Sequence, residues 1–155
     1  MMKTNIEINN SAGAVADGKL IKKAALIVIE GEARNLFDDR VIEVSIAVVG
    51  SKKIREINGK YRKKDQTTDV LSFAEGDFPQ EKSDMPRMLG ELVICVIQVK
   101  ADAKEANVSA EYELAWATVH GMLHLFGYDH EGDGKDAVLM RQKEQFYLSR
   151  CKNVF

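Results

Sequence analysis

All three histidines of the 155-residue chain lie within one eleven-residue segment, and this clustering constrains the local fold more than any other feature. His120 and His124 are spaced i and i+4, so a helix would place both imidazoles on one face, one turn apart. Gly127 can then end the helix in a left-handed conformation without a Cβ penalty, which lets His130 fold back toward the same point. The segment therefore predicts a helix, a turn and three nitrogen atoms around one metal ion.

A lone histidine is more often an ordinary surface or core residue than a ligand, so the spacing carries the argument. Three imidazole ligands with one open coordination position are typical of a catalytic zinc site rather than a closed structural one. We therefore predict one zinc ion per chain, with His120, His124 and His130 as its ligands. Imidazole also binds nickel and other divalent ions, so the identity of the metal stays open at this point.

Length and composition indicate an ordinary globular protein. The chain has the length of one domain, and its 45% hydrophobic and 30% charged residues argue against a disordered or fibrous class, so we expect residues 1–155 to form one domain. The N-terminus has no signal-peptide pattern and no apolar run approaches a membrane span, which predicts a soluble, cytoplasmic protein with no membrane partner. Cys95 and Cys151 lack the spacing of a zinc pair or redox motif and are expected to be free or buried thiols.

Hydrophobic periodicity predicts interleaved strands and helices. Strands are expected over residues 4–8, 41–49, 69–73 and 89–96, the last an almost continuous apolar run typical of a strand buried on both faces. Helices are expected over residues 19–35, in a short segment after Gly50, and over residues 97–107, 110–126 and 135–150. This order predicts an α/β (α+β) fold: a single domain with a small mixed four-stranded sheet packed with about five helices.

Three polar residues precede predicted helices and are expected to cap them: Asp17, Ser51 and Ser109. In the helix over residues 110–126, one buried stripe is expected to contain Ala115, Val119, Met122 and Phe126, with a neighbouring metal face formed by Trp116, His120, Leu123 and His124. Residues 75–87 hold both prolines and several acidic residues, which predicts a mobile loop that could lie over the site.

The spacing His-x3-His-x2-Gly-x2-His is that of the metzincin proteases, which carry their general-base glutamate directly after the first histidine. That position is Gly121 here, and glycine has no group that could take a proton from water. Peptide hydrolysis is therefore disfavoured, although a metzincin-like metallopeptidase with its base elsewhere stays an alternative. Hydrolysis of another substrate is open, since zinc alone can activate water near neutral pH.

Residues 52–64 form a local basic block in a chain whose formal net charge is −2. Seven lysines and arginines stand against the single acid Glu56, so the block could hold a polyanion or simply form a solvated helix face. Within it, an arginine such as Arg62 differs from the lysines because its planar guanidinium can bind a phosphate through two hydrogen bonds.

Three separate blocks of the sequence resemble the YbeY family of bacterial metal-dependent endoribonucleases. They are Asn58-Gly-Lys-Tyr-Arg-Lys-Lys-Asp-Gln-Thr-Thr-Asp-Val-Leu-Ser-Phe73, Leu89-Gly90-Glu91, and the histidine cluster itself. The resemblance is distinctive over residues 54–133 and looser elsewhere. Thr67 departs from the family pattern, which commonly has proline there, and Glu91 stands where aspartate is frequent.

The resemblance implies a function that the residues alone leave open. It implies His120, His124 and His130 as zinc ligands and Arg62 as a catalytic or phosphate-binding residue. The activity it implies is a zinc-dependent, single-strand-specific endoribonuclease acting in ribosomal RNA maturation and ribosome quality control. Its expected partners are ribosomal RNA precursors and the ribosome or small ribosomal subunit. A non-catalytic ribosome-assembly factor with a structural zinc stays a further alternative.

Overall fold

Strands and helices alternate along the chain in the computed structural model, which describes residues 3–12, 17–35, 41–75, 85–129 and 134–152. Within these residues the strands are β1 (Thr4–Asn10), β2 (Ile42–Val48), β3 (Val70–Ala74) and β4 (Arg87–Ile94). The helices are α1 (Gly18–Glu32), α2 (Ser51–Arg62), α3 (Val96–Ala106), α4 (Ala110–Leu125) and α5 (Lys135–Arg150), and a short 3-10 helix (Ala33–Asn35) follows α1.

The strands form one mixed sheet in the order β1-β2-β4-β3. β1, β2 and β4 run parallel, whereas β3 pairs antiparallel with β4 and forms one edge of the sheet. The predicted α/β class, with a small mixed four-stranded sheet and five helices, is confirmed. None of the helices in the described ranges is long and apolar enough to cross a membrane.

α4 is the central helix of the main core. It contacts α1, α3 and α5 as well as strands β3 and β4. Its buried positions therefore cover most of its circumference, and they include Leu114, Val119, Gly121, Met122 and Leu123. The opposite face of the sheet has a smaller cluster in which Ile54 of α2 packs with Leu71 and Val93. Both faces of β4 are thus buried, as the apolar run predicted.

A β-bulge in β4 brings the sheet and α4 close together. Met88 pairs with Glu43 but Gly90 pairs with Val44, so Leu89 is an extra residue, and it lies buried in the main core. Gly90 has a φ of 140°. A Cβ atom there would overlap the carbonyl oxygen of Phe73 and lie 3.0 Å from the Cα of Ala74, so only glycine fits.

Most of the predicted helix ends agree with the structure. Asp17 Oδ1 accepts a hydrogen bond from the Leu20 N–H (3.1 Å), and Ser109 Oγ accepts one from the Tyr112 N–H (3.0 Å), so both predicted caps are confirmed. The predicted cap at Ser51 is wrong. Ser51 is already helical, and the N-cap is Gly50, whose extended backbone precedes α2 without a side-chain cap.

Two further predictions need correction. The strand predicted over residues 89–96 instead covers 87–94, and Val96 already begins α3, because a continuous apolar run does not distinguish a strand from a buried helix start. Leu123, which we expected on the metal face, is fully buried, whereas Phe126 is only partly buried at the end of α4. The single buried stripe that we predicted covers too little of the circumference of α4, which is packed on several sides.

A buried carboxylate joins α1, α5 and the segment after α4. Glu32, with 8% of its side chain exposed, accepts hydrogen bonds from the hydroxyls of Tyr128 and Tyr147 and from Lys143 Nζ at 3.0 Å. Burial by itself would raise the pKa of Glu32, but the three donors together lower it below its usual range. Burial and the Glu32 charge raise the pKa of Tyr147 strongly, so both phenols stay protonated as donors.

Gly90→Ala should lower the free energy of unfolding by roughly 2–4 kcal/mol, because the added Cβ combines a strained positive φ with backbone overlap. Gly18→Ala is the matched control: an added Cβ meets nothing within 4 Å at this first residue of α1. It should be neutral or slightly stabilising. Urea unfolding followed by circular dichroism compares the two, and equal stability of both variants would contradict the role of Gly90.

Glu32→Gln should destabilise the protein by about 2 kcal/mol near pH 7, since it removes a charged acceptor from three donors. The folded-state pKa of Glu32 is lowered, so its contribution is complete above the unfolded value of about 4.3 and is lost as pH falls through the folded value. The difference from wild type should therefore shrink as the pH falls below about 4. Glu30→Gln on the exposed face of α1 is the control. A difference that grows on acidification would contradict this assignment.

Candidate metal centre

α4 holds His120 and His124 at adjoining positions on its partly buried face. The rings are T-shaped, with centroids 4.7 Å apart and an interplanar angle of 84°. Their Nε2 atoms face each other at 3.2 Å. The i, i+4 spacing therefore directs the same ring nitrogen of both residues toward one point.

This arrangement can be compared with the geometry that zinc requires. Two nitrogen ligands of a tetrahedral zinc ion, each at about 2.0–2.1 Å, are about 3.3 Å apart. The observed Nε2 to Nε2 separation of 3.2 Å fits that value, and the two imidazoles are donors of the type that zinc prefers. His130 lies outside the described residues, so its part in the site stays a prediction. The chain does leave α4 at Gly127 with a positive φ of 95°, as predicted.

Two side chains fix the ring of His120. The carboxylate of Glu144, on α5, places Oε1 2.8 Å from His120 Nδ1, and the Glu144 residue is only 8% exposed. Trp116 stacks on the same imidazole, with centroids 4.7 Å apart and an interplanar angle of 20°. Trp116 was expected on this face, but Glu144 was missed. Its signal was a charged residue at the i+4 position after buried Met140, on the apolar face of α5.

Three carboxylates cluster at the start of α4, and sequence reasoning missed them as well. Oxygen atoms of Asp69, Asp102 and Glu113 lie within 4.8 Å of one another. Burial raises the pKa of Asp69, and burial together with the nearby Asp69 charge raises the pKa of Glu113. These oxygens suit a hard cation such as Mg²⁺ or Ca²⁺, whereas the histidine pair suits zinc. The three residues belong to different segments, one just before β3, one on α3 and one on α4, so only the fold reveals their proximity.

Gly121 packs against the sheet instead of facing open space. A Cβ atom at this position would lie 2.9 Å from Leu92 Cδ2 and 3.0 Å from Val70 Cγ2. Leu92 is completely buried, so the neighbouring side chains have little room to move. The position that carries the general base in metzincins therefore has no space for a glutamate here.

Arg62 lies at the end of α2 and reaches the free edge of the sheet. Its Nη2 donates to the carbonyl oxygen of Ser72 at 2.7 Å, and its guanidinium lies 4.8 Å from the ring centroid of Phe73. The residues at positions 69 and 75, which flank β3, form backbone hydrogen bonds with positions 95 and 89 on the β4 side. In an antiparallel pair the residues that bond to the partner strand alternate, so the carbonyl of Ser72 points away from β4. The same short strand contributes Val70 to the contact with Gly121, next to His120. Arg62 and the histidine helix therefore approach one strand.

The basic block on α2 is largely exposed, and its members have different surroundings. Arg55 forms an ion pair with Asp65 at 2.8 Å, which engages its charge locally. Lys60 and Tyr61 line a groove together with Phe73 of β3. Tyr61 is 55% exposed and its ring contacts Phe73 edge-on, with centroids 5.4 Å apart. Cationic and aromatic groups thus lie side by side near Arg62.

Comparisons with known proteins agree with this architecture. The family model described as Endoribonuclease YbeY matches residues 5–152. An Endoribonuclease YbeY of Bacillus cereus is 48% identical over 109 residues, 66% of this chain and 69% of the relative. Another, of Macrococcus caseolyticus, is 38% identical over 122 residues, 77% and 78% of the two chains. The solution structure of a Thermotoga maritima protein matches with a TM-score of 0.60 and 30% identity, over 95% of this chain and 89% of that one. The chain belongs to the YbeY family.

Proposed function

We propose that the protein is a zinc-dependent endoribonuclease that cleaves single-stranded RNA in ribosomal RNA maturation and ribosome quality control. The observation that carries the proposal is the convergence of His120 Nε2 and His124 Nε2 in a chain of this family. One zinc ion would be held by these two residues and His130. We further propose that residues 1–155 act as one hydrolase domain in the cytoplasm, with the ribosome or its small subunit as partner.

The metal and the chain would have separate tasks in phosphodiester cleavage. A bound zinc ion would supply Lewis acidity at the scissile phosphodiester. The histidines hold their Nε2 atoms toward one point, and α4 is rigid because it is packed on several sides. We assign to Arg62 the stabilisation of negative charge that develops on the phosphoryl oxygens. Its contacts with Ser72 and Phe73 restrict the guanidinium, which lowers the entropy cost of binding a phosphate.

The groove beside Arg62 favours an unpaired RNA strand as substrate. Single-stranded nucleic acids bind through cations along the backbone and aromatic rings that stack with bases. Lys60 and the exposed ring of Tyr61 offer both kinds of group within one turn of Arg62.

The two alternative functions differ in what they require of the fold. A peptidase of the metzincin type needs a base beside the first histidine, and the packing of Gly121 against Leu92 leaves no room for one. A purely structural zinc would supply a large part of the folding free energy, so that the chain would unfold without it. α4 instead belongs to a large apolar core with α1 and the sheet, which favours a domain that stays folded without metal.

Removal of zinc by a chelator should abolish cleavage of a single-stranded ribosomal RNA fragment, and His124→Ala should reduce it by about 100-fold or more, because a ligand is lost. Added zinc should restore the chelated wild type but not the variant. Circular dichroism should show that the metal-free protein remains folded. Full activity of the metal-free His124→Ala protein would refute the proposal, and unfolding on chelation would favour a structural ion.

Arg62→Ala should lower kcat by roughly 100- to 1,000-fold, the effect of removing one preorganised group from a charged transition state. Arg62→Lys should recover only part of the rate because lysine lacks the planar pair of donors. Arg55→Ala is the comparison on the same helix: its charge is engaged with Asp65, so only KM should change, and modestly. Single-turnover cleavage separates the two effects. Equal kcat values for Arg62→Ala and Arg55→Ala would remove Arg62 from the mechanism.

A further inference from the structure

We infer that Glu144 of α5 is a positioning residue for the metal centre: it accepts a hydrogen bond from His120 Nδ1 and thereby directs Nε2 of the same ring toward the ion. The inference rests on the proposed zinc site at His120 and His124. It extends the site to a helix that no motif of the sequence includes.

The burial of Glu144 is the first observation. Among the described residues, those buried as whole residues that carry a polar or charged side chain are Asn58, Thr118 and Glu144, and the carboxylate of Glu32 is buried as well. Thr118 donates to a backbone carbonyl of its own helix, and Asn58 donates to the carbonyl of Gln66. A carboxylate in such a position is costly unless a donor satisfies it. Glu144 Oε1 lies 2.8 Å from His120 Nδ1, so the imidazole is the group that compensates for its burial.

The chemistry of the two groups fixes the direction of this hydrogen bond. An ionised carboxylate can only accept, so Nδ1 of His120 must donate. A neutral imidazole carries one proton, and its other nitrogen then presents a lone pair. That nitrogen is Nε2, which faces Nε2 of His124 at 3.2 Å. A carboxylate that accepts from the distal nitrogen of a ligating histidine fixes the tautomer and the orientation of the ring.

The packing of α5 holds Glu144 in place. Lys143, the preceding residue, donates to buried Glu32 at 3.0 Å, and Tyr147 donates to the same carboxylate. Glu32 thus fixes the rotation and height of α5 from the α1 side. Trp116 stacks on His120, which restricts the tilt of the ring while Glu144 restricts its rotation. These contacts leave His120 one orientation, with Nε2 directed at the proposed ion.

The experiment measures the tautomer of His120 and the affinity for zinc, each independently of RNA cleavage. In the metal-free wild-type protein at mildly alkaline pH, nitrogen NMR should show His120 protonated on Nδ1. Glu144→Ala should lose this preference and bind zinc about 10- to 100-fold more weakly in competition with a chromogenic chelator. Glu144→Gln keeps an acceptor of the same shape without the charge and should lose less. Asp136→Asn, an exposed change in the first turn of α5, should bind zinc like wild type.

Each result decides the inference. An Nε2-protonated His120 in wild-type protein would overturn it, and so would wild-type zinc affinity in a folded Glu144→Ala. If Glu144→Ala fails to fold, the wild-type tautomer and the Glu144→Gln affinity still decide. Loss of zinc affinity in a protein that cleaves no RNA would support Glu144 while rejecting the proposed function. RNA cleavage that depends on zinc, with the affinity for zinc unchanged in the Glu144 variants, would support the proposed function while rejecting the role of Glu144.

Discussion

The close packing of α4 against β3 and β4 is the contact on which the rest of the structure depends. Two glycines make it possible. Gly121 brings the backbone of α4 within reach of Val70 and Leu92, and Gly90 lets β4 bulge beneath it. A helix buried on most of its circumference cannot rotate without disturbing several neighbours at once. The histidines project from the remaining face of this helix, so the hydrophobic core fixes the positions from which their side chains extend.

Polar contacts fix orientations that apolar packing leaves undefined. The core places α4 and α5 side by side, but hydrophobic contacts alone leave side-chain rotation poorly defined. Two buried carboxylates restrict these orientations. Glu32 joins α1 to α5 through hydrogen bonds, and Glu144 of α5 contacts the ring of His120 on α4. Each is satisfied by specific donors, which is the condition under which buried charge is tolerated. The polar residues between α1, α4 and α5 are therefore part of the machinery that orients the candidate site.

Sequence reasoning succeeded where the determining interactions are local. The helix under the histidines, its cap at Ser109 and its exit at Gly127 all depend on residues within a few positions of one another. The α/β class with its mixed sheet was predicted from the alternation of strands and helices along the chain. The contact between His120 and Glu144, in contrast, joins residues 24 positions apart, and no periodicity specifies it. The prediction that Ser51 caps α2 was wrong for a different reason. The preference of serine for cap positions does not decide which residue first adopts helical backbone angles.

The position of Gly121 explains how a histidine spacing shared with proteases can support a different reaction. In this fold the residue after the first histidine points at the sheet, so its side chain is excluded by Leu92 and Val70. A general base at that point is incompatible with the core. At the free edge of β3, in contrast, the carbonyl of Ser72 accepts a hydrogen bond from Arg62. This contact holds a cation at the strand that packs against α4. Peptide hydrolysis needs the base, whereas phosphodiester cleavage needs charge neutralisation at the phosphate. The packing of one glycine and the hydrogen bond of one arginine thus favour the second reaction over the first.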